Sequence, residues 1–229
     1  MFCRALRGPY PNAATPARLL HARIEYNNPD QTWMIVTMTI ELIAPNEALH
    51  QSWLDARTEW GGPHAHQPGT ALGIAERLGL NLGKPEDFKQ WVQELNAQPH
   101  GPQTPDTVPA TNWWITHDDR YLGAIQLRHS LNDFLADLGG HIGYGIRPTE
   151  RRKGVVTIAL RQVLDHAATE IGLDEVLITC DDTNIGSQRT IEAAGGVLHH
   201  VRHPDKYSHD RGFEGKTLHY WVPTNPPTS

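Results

Sequence analysis

The spacing of apolar residues changes several times along the chain, and each spacing predicts an element. The stretch MIVTMTIELIAP, which begins at Met34, is rich in β-branched and apolar residues, as strands are. Two segments then repeat apolar residues every three or four positions and predict amphipathic helices: NEALHQSWLDARTEW and KPEDFKQWVQELNAQ. The segments NWWIT and YLGAIQLR flank a short HDDR run, so we expect two antiparallel strands joined by a tight turn.

The second half of the chain predicts a strand, a long helix and another strand in succession. HIGYGIRP is the first strand, apolar residues recur at helical spacing from Lys153 to Ile171, and DEVLITC is a nearly continuous apolar run. Such a βαβ unit has parallel strands and a right-handed crossover. A further helix from about Asn184 and strands near 197–202 and 217–222 complete an α/β or α+β class with antiparallel pairs.

The same patterns divide the chain into one domain and two short flanks. Residues 1–33 contain several Arg, Pro and Ala without a sustained period, so we expect an irregular N-terminal extension. Because Met34 and Met38 are alternative start sites, an upstream-start artefact is one interpretation of the extension, and a transit peptide is another. We place the domain at 34–223 and a disordered tail at 224–229.

Composition narrows the classes of function. The 229 residues include 38% hydrophobic and 20% charged residues, an ordinary balance for a soluble globular protein. The net charge of -6 argues against nucleic acid as the main partner. Cys3 and Cys180 are too few for a disulfide framework, and we expect Cys180 to be a buried free thiol. The sequence has neither a membrane-spanning run nor the apolar core of a secretory signal, so we expect a cytoplasmic protein without a membrane partner.

One short stretch, GIRPTERRKGVVT, has the features of an anion-binding loop. A strand ends at Pro148, the cations Arg151, Arg152 and Lys153 follow, and Gly154 precedes the long helix. A helix N-terminus presents unpaired N–H groups and a partial positive charge to an anion. The stretch lacks the Lys-Ser/Thr pair of a Walker loop, and the glycines before it lie inside a strand, unlike those of a dinucleotide fingerprint.

This loop and the order of elements from Met34 to Val222 resemble the Gcn5-related N-acetyltransferase (GNAT) superfamily, whose signature is Q/R-x-x-G-x-G/A. Arg151, Gly154 and Val156 stand at the signature positions. The segments GGHIGYGIRPTERRKG and LITCDDTNIGSQRTIEAAGGVL most closely resemble a bacterial branch of predicted acetyltransferases with unassigned substrates. The resemblance implies a mixed central sheet of about six to seven strands, flanking helices and a βαβ unit that binds acetyl-CoA.

The resemblance also implies contacts with acetyl-CoA, the cosubstrate, residue by residue. Backbone N–H groups in the cationic loop would hold the pyrophosphate, and the strand before it would pair with the pantetheine arm. Asn184 matches the family's Asn that touches the cofactor near the thioester, a role compatible with its ordinary one as a helix cap. The expected cofactor-binding residues are Tyr144, Gly145, Ile146, Arg151, Arg152, Lys153, Gly154, Val155, Val156, Asn184 and Ser187.

Two positions depart from the family's pattern. Val156 stands where Gly or Ala is common, and a branched side chain there would loosen the grip on the phosphates. Ile191 stands where many members carry a Tyr that protonates the leaving thiolate. Tyr207 is a candidate replacement for that acid, although a loop Tyr is more often a packing residue or part of a substrate wall.

Acetyl transfer to an amine requires a neutral amine, an oxyanion donor and a proton for the thiolate. The resemblance implies that the backbone N–H near Tyr144 is the oxyanion donor. His141 and His129 are the candidate general bases because a His titrates near neutral pH, and packing or surface roles are the alternatives for both. We expect Glu150 to be a solvated loop charge. The His pairs in HAH at 64–66 and around 199–209 fall short of the converging ligands of a zinc site, so we expect no metal.

These features predict direct transfer of an acetyl group from acetyl-CoA to the amine of a small or amino-acid-like acceptor. The net acidity mildly favours a cationic acceptor. Two alternatives stay open: a CoA-binding or acyl-CoA-sensing protein with little turnover, and an acyltransferase that uses another acyl chain or a hydroxyl acceptor. Pairing of two copies through the C-terminal strands, as members of this family often show, is a further expectation.

Overall fold

The computed structural model describes residues 20–27, 33–63, 65, 67–101 and 106–225, with side chains from residue 39 onward. Within them, strands and helices alternate irregularly along the chain. The strands and helices are β1 Leu20–Asn27, β2 Trp33–Ile43, α1 His50–Glu59, α2 Leu72–Arg77, α3 Pro85–Ala97, β3 Ala110–His117, β4 Arg120–Arg128, β5 Ile142–Ile146, α4 Val155–His166, β6 Glu175–Asp181, α5 Ile185–Ala193, β7 Val197–Arg202, α6 Lys206–His209 and β8 Thr217–Pro223.

The strands form two antiparallel sheets, in the orders β1-β2-β3-β4-β5 and β6-β8-β7. The α/β class and the GNAT-like order of elements are confirmed, but the single mixed sheet expected from the sequence is divided. His141 faces Leu177 at the start of β6, and Tyr144 lies beside Cys180 farther along, so β5 and β6 advance in the same direction. The division arises because the two strands separate soon after they begin.

Alternating side chains of the five-stranded sheet supply two cores. On one face, residues such as Leu122 and Ile125 of β4 pack with Leu160 of α4 and with apolar residues of the second sheet. On the other face, α1, α3 and β3 bury a cluster of aromatic rings, which includes Trp53, Phe88, Trp91 and Trp114. All four of these side chains are almost completely buried.

The long helix of the βαβ unit differs slightly from its predicted bounds. It begins at Val155 rather than at Lys153, because Gly154 takes a left-handed conformation with φ of 71° and caps it. A π-helical turn, Ala167–Ile171, continues it to Gly172, whose φ of 77° ends the helix as the sequence predicts. The short helices α2 and α6 are not indicated by the apolar spacing.

Both flanks of the predicted domain take part in the fold where the structure describes them. Residues 20–27 form β1 and pair with β2, in contrast to the irregular extension expected there, and residues 1–19 lie outside the described residues. Thr224 is fully buried, and its hydroxyl donates to the carbonyl oxygens of Leu173 at 2.6 Å and Asp174 at 2.9 Å. The fold therefore includes Thr224, beyond the predicted end of the domain at residue 223. Residues 226–229 lie outside the described residues. Among the described helices, none has the length and apolar character needed to cross a membrane.

Candidate active site

The candidate site lies where β5 and β6 separate, and His141 closes the narrow end of this opening. The His141 N–H donates to the Leu177 carbonyl at 2.7 Å, and the Leu177 N–H donates to His141 Nδ1 at 2.9 Å. A neutral imidazole that accepts at Nδ1 carries its proton on Nε2, so neither nitrogen is placed to take a proton from an amine. Burial, followed by the positive charge of Arg128, lowers the pKa of His141 to about 4. This geometry favours a positioning role over the expected role as a base.

His129, the other candidate base, lies on the α4 face of the sheet. Its Nε2 is 2.8 Å from Thr111 Oγ1. Burial, followed by the nearby His166, lowers the pKa of His129 to about 4. Because His166 is the last residue of α4, His129 lies near the end of the helix opposite the cationic loop, and the structure does not bring it together with Tyr144 or Ser187.

Hydroxyl groups bridge the two sides of the opening. The Tyr144 hydroxyl of β5 lies 2.8 Å from Ser187 Oγ of α5, and burial raises the pKa of Tyr144 above its ordinary value. Asn184 caps α5 by accepting from the Ser187 N–H at 3.1 Å, which brings these predicted residues together. Cys180 is buried nearby as a free thiol, as expected, and burial raises its pKa to about 11. The period of two along β5 places Tyr144 on the same face as Ile142 and indicates this side-chain direction in the sequence.

The cationic loop enters α4 with a series of open backbone donors. Arg152 has φ of 63° and Gly154 φ of 71°, and these left-handed residues turn the chain after a 3₁₀ turn at Pro148–Glu150. The Arg151 N–H donates to the Pro148 carbonyl at 3.3 Å, but the N–H groups of residues 152–156 donate to no other residue of the described chain. Five consecutive open donors at a helix N-terminus are an arrangement that binds phosphate.

Two of the loop's cations are already engaged. Lys153 Nζ lies 2.9 Å from Glu150, which also accepts from Arg120 at 2.6 Å. Glu150 is only 5% exposed, so the expectation of a solvated charge is wrong: burial acts to raise its pKa, but the bonds from Lys153 and Arg120 lower the pKa overall. Arg151 donates from Nε to the Ile146 carbonyl at 3.2 Å and stacks 4.5 Å above the Trp60 ring.

Val156, the departure from the family's pattern, is half-buried and packs against the core on the α4 side of the sheet. Its branched side chain is therefore accommodated in the core. Ile191 is fully buried in the same core, where it cannot supply a proton. Tyr207 lies on α6 with Arg211 3.7 Å above its ring, and no contact joins it to the hydroxyl pair within the described residues.

The opposite face of β5 is covered closely by the loop at 67–69. A Cβ added to Gly69 would lie 2.5 Å from Tyr144 Cα, and one added to Gly145 would lie 2.6 Å from the Pro68 carbonyl oxygen. Glycine is therefore required at both positions for this approach. His64 and His66, just before this loop, lie outside the described residues. The described chain contains no group of three or more His, Cys, Asp or Glu able to hold a metal ion.

Comparison with known proteins identifies the family to which this fold belongs. A family model described as the acetyltransferase (GNAT) domain matches residues 77–197, more than half of the chain. The chain belongs to the GNAT superfamily. The probable N-acetyltransferase YjcK of Bacillus subtilis (strain 168) is 33% identical to this GNAT protein over 78 residues, which cover 34% of this chain and 42% of YjcK. The matched part is thus less than half of that curated relative.

Solved structures share the GNAT fold across a longer part of the chain. Mycobacterium smegmatis RimJ, solved in complex with CoA-disulfide, has a TM-score of 0.57 and 15% identity over 92% of this chain and 90% of that one. The microcin C7 self-immunity acetyltransferase MccE, solved with acetyl-CoA and AMP, has a TM-score of 0.54 and 14% identity over 80% and 92% of the two chains. At these identities the likeness concerns the fold.

Proposed function

We propose that this GNAT protein transfers the acetyl group of acetyl-CoA directly to the amine of a small or amino-acid-like acceptor. The observation that carries the proposal is the run of five open N–H groups at residues 152–156, beside the opening between β5 and β6. The N–H groups would hold the pyrophosphate, and the backbone at Tyr144, Gly145 and Ile146 would receive the pantetheine arm. A solved neighbour of the same fold that contains acetyl-CoA supports this assignment.

The hydroxyl pair of Tyr144 and Ser187 is the proton source that fits the site. The amine nitrogen attacks the thioester carbon, the backbone N–H near Tyr144 stabilises the oxyanion, and the carbon–sulfur bond breaks. The proton would pass from Ser187 to the sulfur, Tyr144 would supply Ser187 through the 2.8 Å contact, and a proton from solvent would return to Tyr144. The acceptor amine would lose its proton to water, because neither His141 nor His129 is placed as a base.

Acetyl-CoA binding by calorimetry, together with thiol release over a panel of amines, tests the proposal. We expect binding, and thiol release that depends on the amine. Ser187→Ala should lower kcat roughly 100-fold with little change in the affinity for acetyl-CoA, because general acid catalysis typically contributes 10²–10⁴-fold. Tyr144→Phe should have a smaller effect, since Ser187 would still contact the sulfur.

Thr190→Ala is the matched control, because it removes from the same helix a hydroxyl that donates only to the Gly186 carbonyl of its own helix, at 2.9 Å. It should leave kcat unchanged. Binding without thiol release from any amine or hydroxyl acceptor would favour the acyl-CoA sensor instead. Absence of acetyl-CoA binding would contradict both functions.

A further inference from the structure

Arg128, the last residue of β4, is held rigidly beside the candidate site. Its N–H donates to the His141 carbonyl at 2.8 Å, which extends the β4–β5 pairing by one residue. Its Nη1 donates to two successive carbonyl oxygens, those of Gly139 at 2.9 Å and Gly140 at 3.0 Å. One nitrogen of the guanidinium is thus fixed to the turn that leads into β5, which sets the direction of the other two.

The rest of the guanidinium points along β5, on the face opposite the Tyr144 hydroxyl. Arg128 Nη2 lies 3.7 Å from the position of a Cβ added to Gly143, and the Gly69 nitrogen lies 3.5 Å from that same position. Gly143 is the residue before Tyr144, whose backbone is the proposed oxyanion site. A fixed positive charge therefore lies within a few ångströms of the backbone where the acetyl group would be transferred.

This charge has no carboxylate partner among the residues that the structure describes. Arg147 and Arg120 each form an ion pair, with Glu59 and Glu150, whereas Arg128 forms none and its Nε and Nη2 donate to no described residue. Burial lowers the pKa of Arg128 to about 10, so the side chain keeps its charge at neutral pH. Arg128 is half-buried: the loop at 67–69 covers the face of β5 beside it, and the exposed part of the residue is where a small molecule would reach the guanidinium.

We infer that Arg128 binds a carboxylate of the acceptor, so that the acceptor is an amino acid or a similar compound with its amine a few bonds from a carboxylate. This inference rests on the proposed function and names its substrate class. Two free N–H donors of a fixed guanidinium match a carboxylate in a paired geometry that an ammonium group cannot use. The same charge disfavours an ammonium nearby, which helps to keep the acceptor amine neutral for attack.

The charge of Arg128 should affect the choice of acceptor more than the net charge of the protein does. The overall charge of -6 favours a cationic acceptor only through a long-range field that salt screens within about 10 Å. Arg128 acts at contact distance and beside buried backbone, where the interaction is stronger. We therefore expect polyamines to be poor acceptors in comparison with amino acids.

Matched acceptor pairs test the inference: amino acids against their primary amides, which keep the amine and the side chain but lack the charge. Rates are compared per neutral amine, because the amide and the acid differ in amine pKa. We expect the wild type to prefer the acid by roughly 10- to 100-fold in kcat/KM, the usual range for a hydrogen bond to a charged group. Arg128→Met should abolish the preference while acetyl-CoA affinity stays the same.

Two further variants keep the test decisive. Arg128→Lys keeps the charge without the paired donors and should retain part of the preference, while Arg161→Met, an exposed change on α4, should retain all of it. Thermal unfolding identifies a variant that fails to fold, in which case the comparison within the wild type decides. Equal kcat/KM for acid and amide in the wild type would overturn the inference, although amine-dependent thiol release would still support acetyl transfer.

Discussion

The two ends of β5 differ in how their hydrogen-bonding groups are paired. At its start, backbone and side-chain groups around His141 are paired with β6, and Arg128 is anchored to the turn before it. At its other end, the described residues 152–156 have backbone donors without acceptors, and no ladder joins the strand to β6. One strand of five residues thus has a closed end and an open end.

The difference shows how the fold keeps its open donors in place. The open end is held from outside, because the Arg147 guanidinium donates to Glu59 of α1 through two nitrogens and to the Tyr121 carbonyl. Glu150 fixes the next turn through Arg120 and Lys153. The side chains therefore satisfy one another, and the backbone N–H groups are left for a ligand.

The largest expected effect comes from breaking the support of the open end. Glu59→Gln leaves the buried Arg147 without its carboxylate partner, and we expect the free energy of unfolding at pH 7 to fall by about 3–5 kcal/mol, as when other buried charges lose their partners. Urea unfolding measures this loss. Arg147→Met serves as the matched comparison, because it leaves only the half-buried Glu59 unpaired and should therefore lose less stability. A loss below 1 kcal/mol would mean that the outside support is unnecessary.

The same pair predicts a dependence on pH. The hydrogen bond from Arg147 is the first cause that lowers the pKa of Glu59 to about 2, from 4.5. Because the folded-state pKa is the lower one, the stabilisation is present above about pH 4.5 and is lost as the pH falls towards 2. In Arg147→Met this acid-dependent part should be much smaller, which unfolding at several pH values would show.

The next effect concerns the closed end. Gly140 has φ of 65°, and a Cβ there would lie 2.7 Å from the Leu177 carbonyl oxygen, so Gly140→Ala adds both backbone strain and a steric clash. We expect a loss of about 2–4 kcal/mol in urea unfolding. Gly172→Ala isolates the strain, because Gly172 has φ of 77° with no atom within 4 Å of the added Cβ. Equal losses in the two variants would show that the contact with β6 adds nothing.

A smaller effect separates the two possible roles of His141. His141→Ala leaves the Leu177 N–H without its acceptor, and we expect a loss of about 1–3 kcal/mol in stability. If His141 only positions the strands, the pH dependence of kcat/KM should keep its shape in this variant. If the rise of kcat/KM between pH 5 and 8 disappears in His141→Ala, His141 is the general base after all.

The smallest effect tests the position where the sequence departs from the family. Val156 packs into the core, so Val156→Ala should cost about 1 kcal/mol or less in stability and change the Kd for acetyl-CoA by less than about threefold. Calorimetry measures the Kd. Tighter binding by tenfold or more would mean that the branched side chain obstructs the loop.

Local patterns account for what the sequence predicts well. The helix at 155–166 and the β3–β4 hairpin follow from apolar spacing and turn residues that lie close together in the chain. The resemblance to the GNAT superfamily likewise places the cationic loop and Asn184 correctly relative to the helices that they precede. These features depend on neighbours in sequence.

Contacts between distant residues account for what the sequence does not predict. The sequence around Glu150 is typical of an ordinary loop charge, and only the fold brings Arg120, thirty positions earlier, beside it. His141 resembles a catalytic base until the N–H of Leu177, thirty-six positions later, occupies its Nδ1. The six residues of α2 are too few to show a helical period. In each case the missing information is the tertiary partner.

The stacking of Arg151 on Trp60 has a practical consequence for spectroscopy. Trp60 is half-buried at the cationic loop, whereas Trp53, Trp91 and Trp114 lie in the aromatic core. The fluorescence of the core indoles should report unfolding, while that of Trp60 should respond to an anion that draws the Arg151 guanidinium off its ring. We therefore expect the protein to give, without a label, one optical signal for the integrity of its core and another for an anion at its cationic loop.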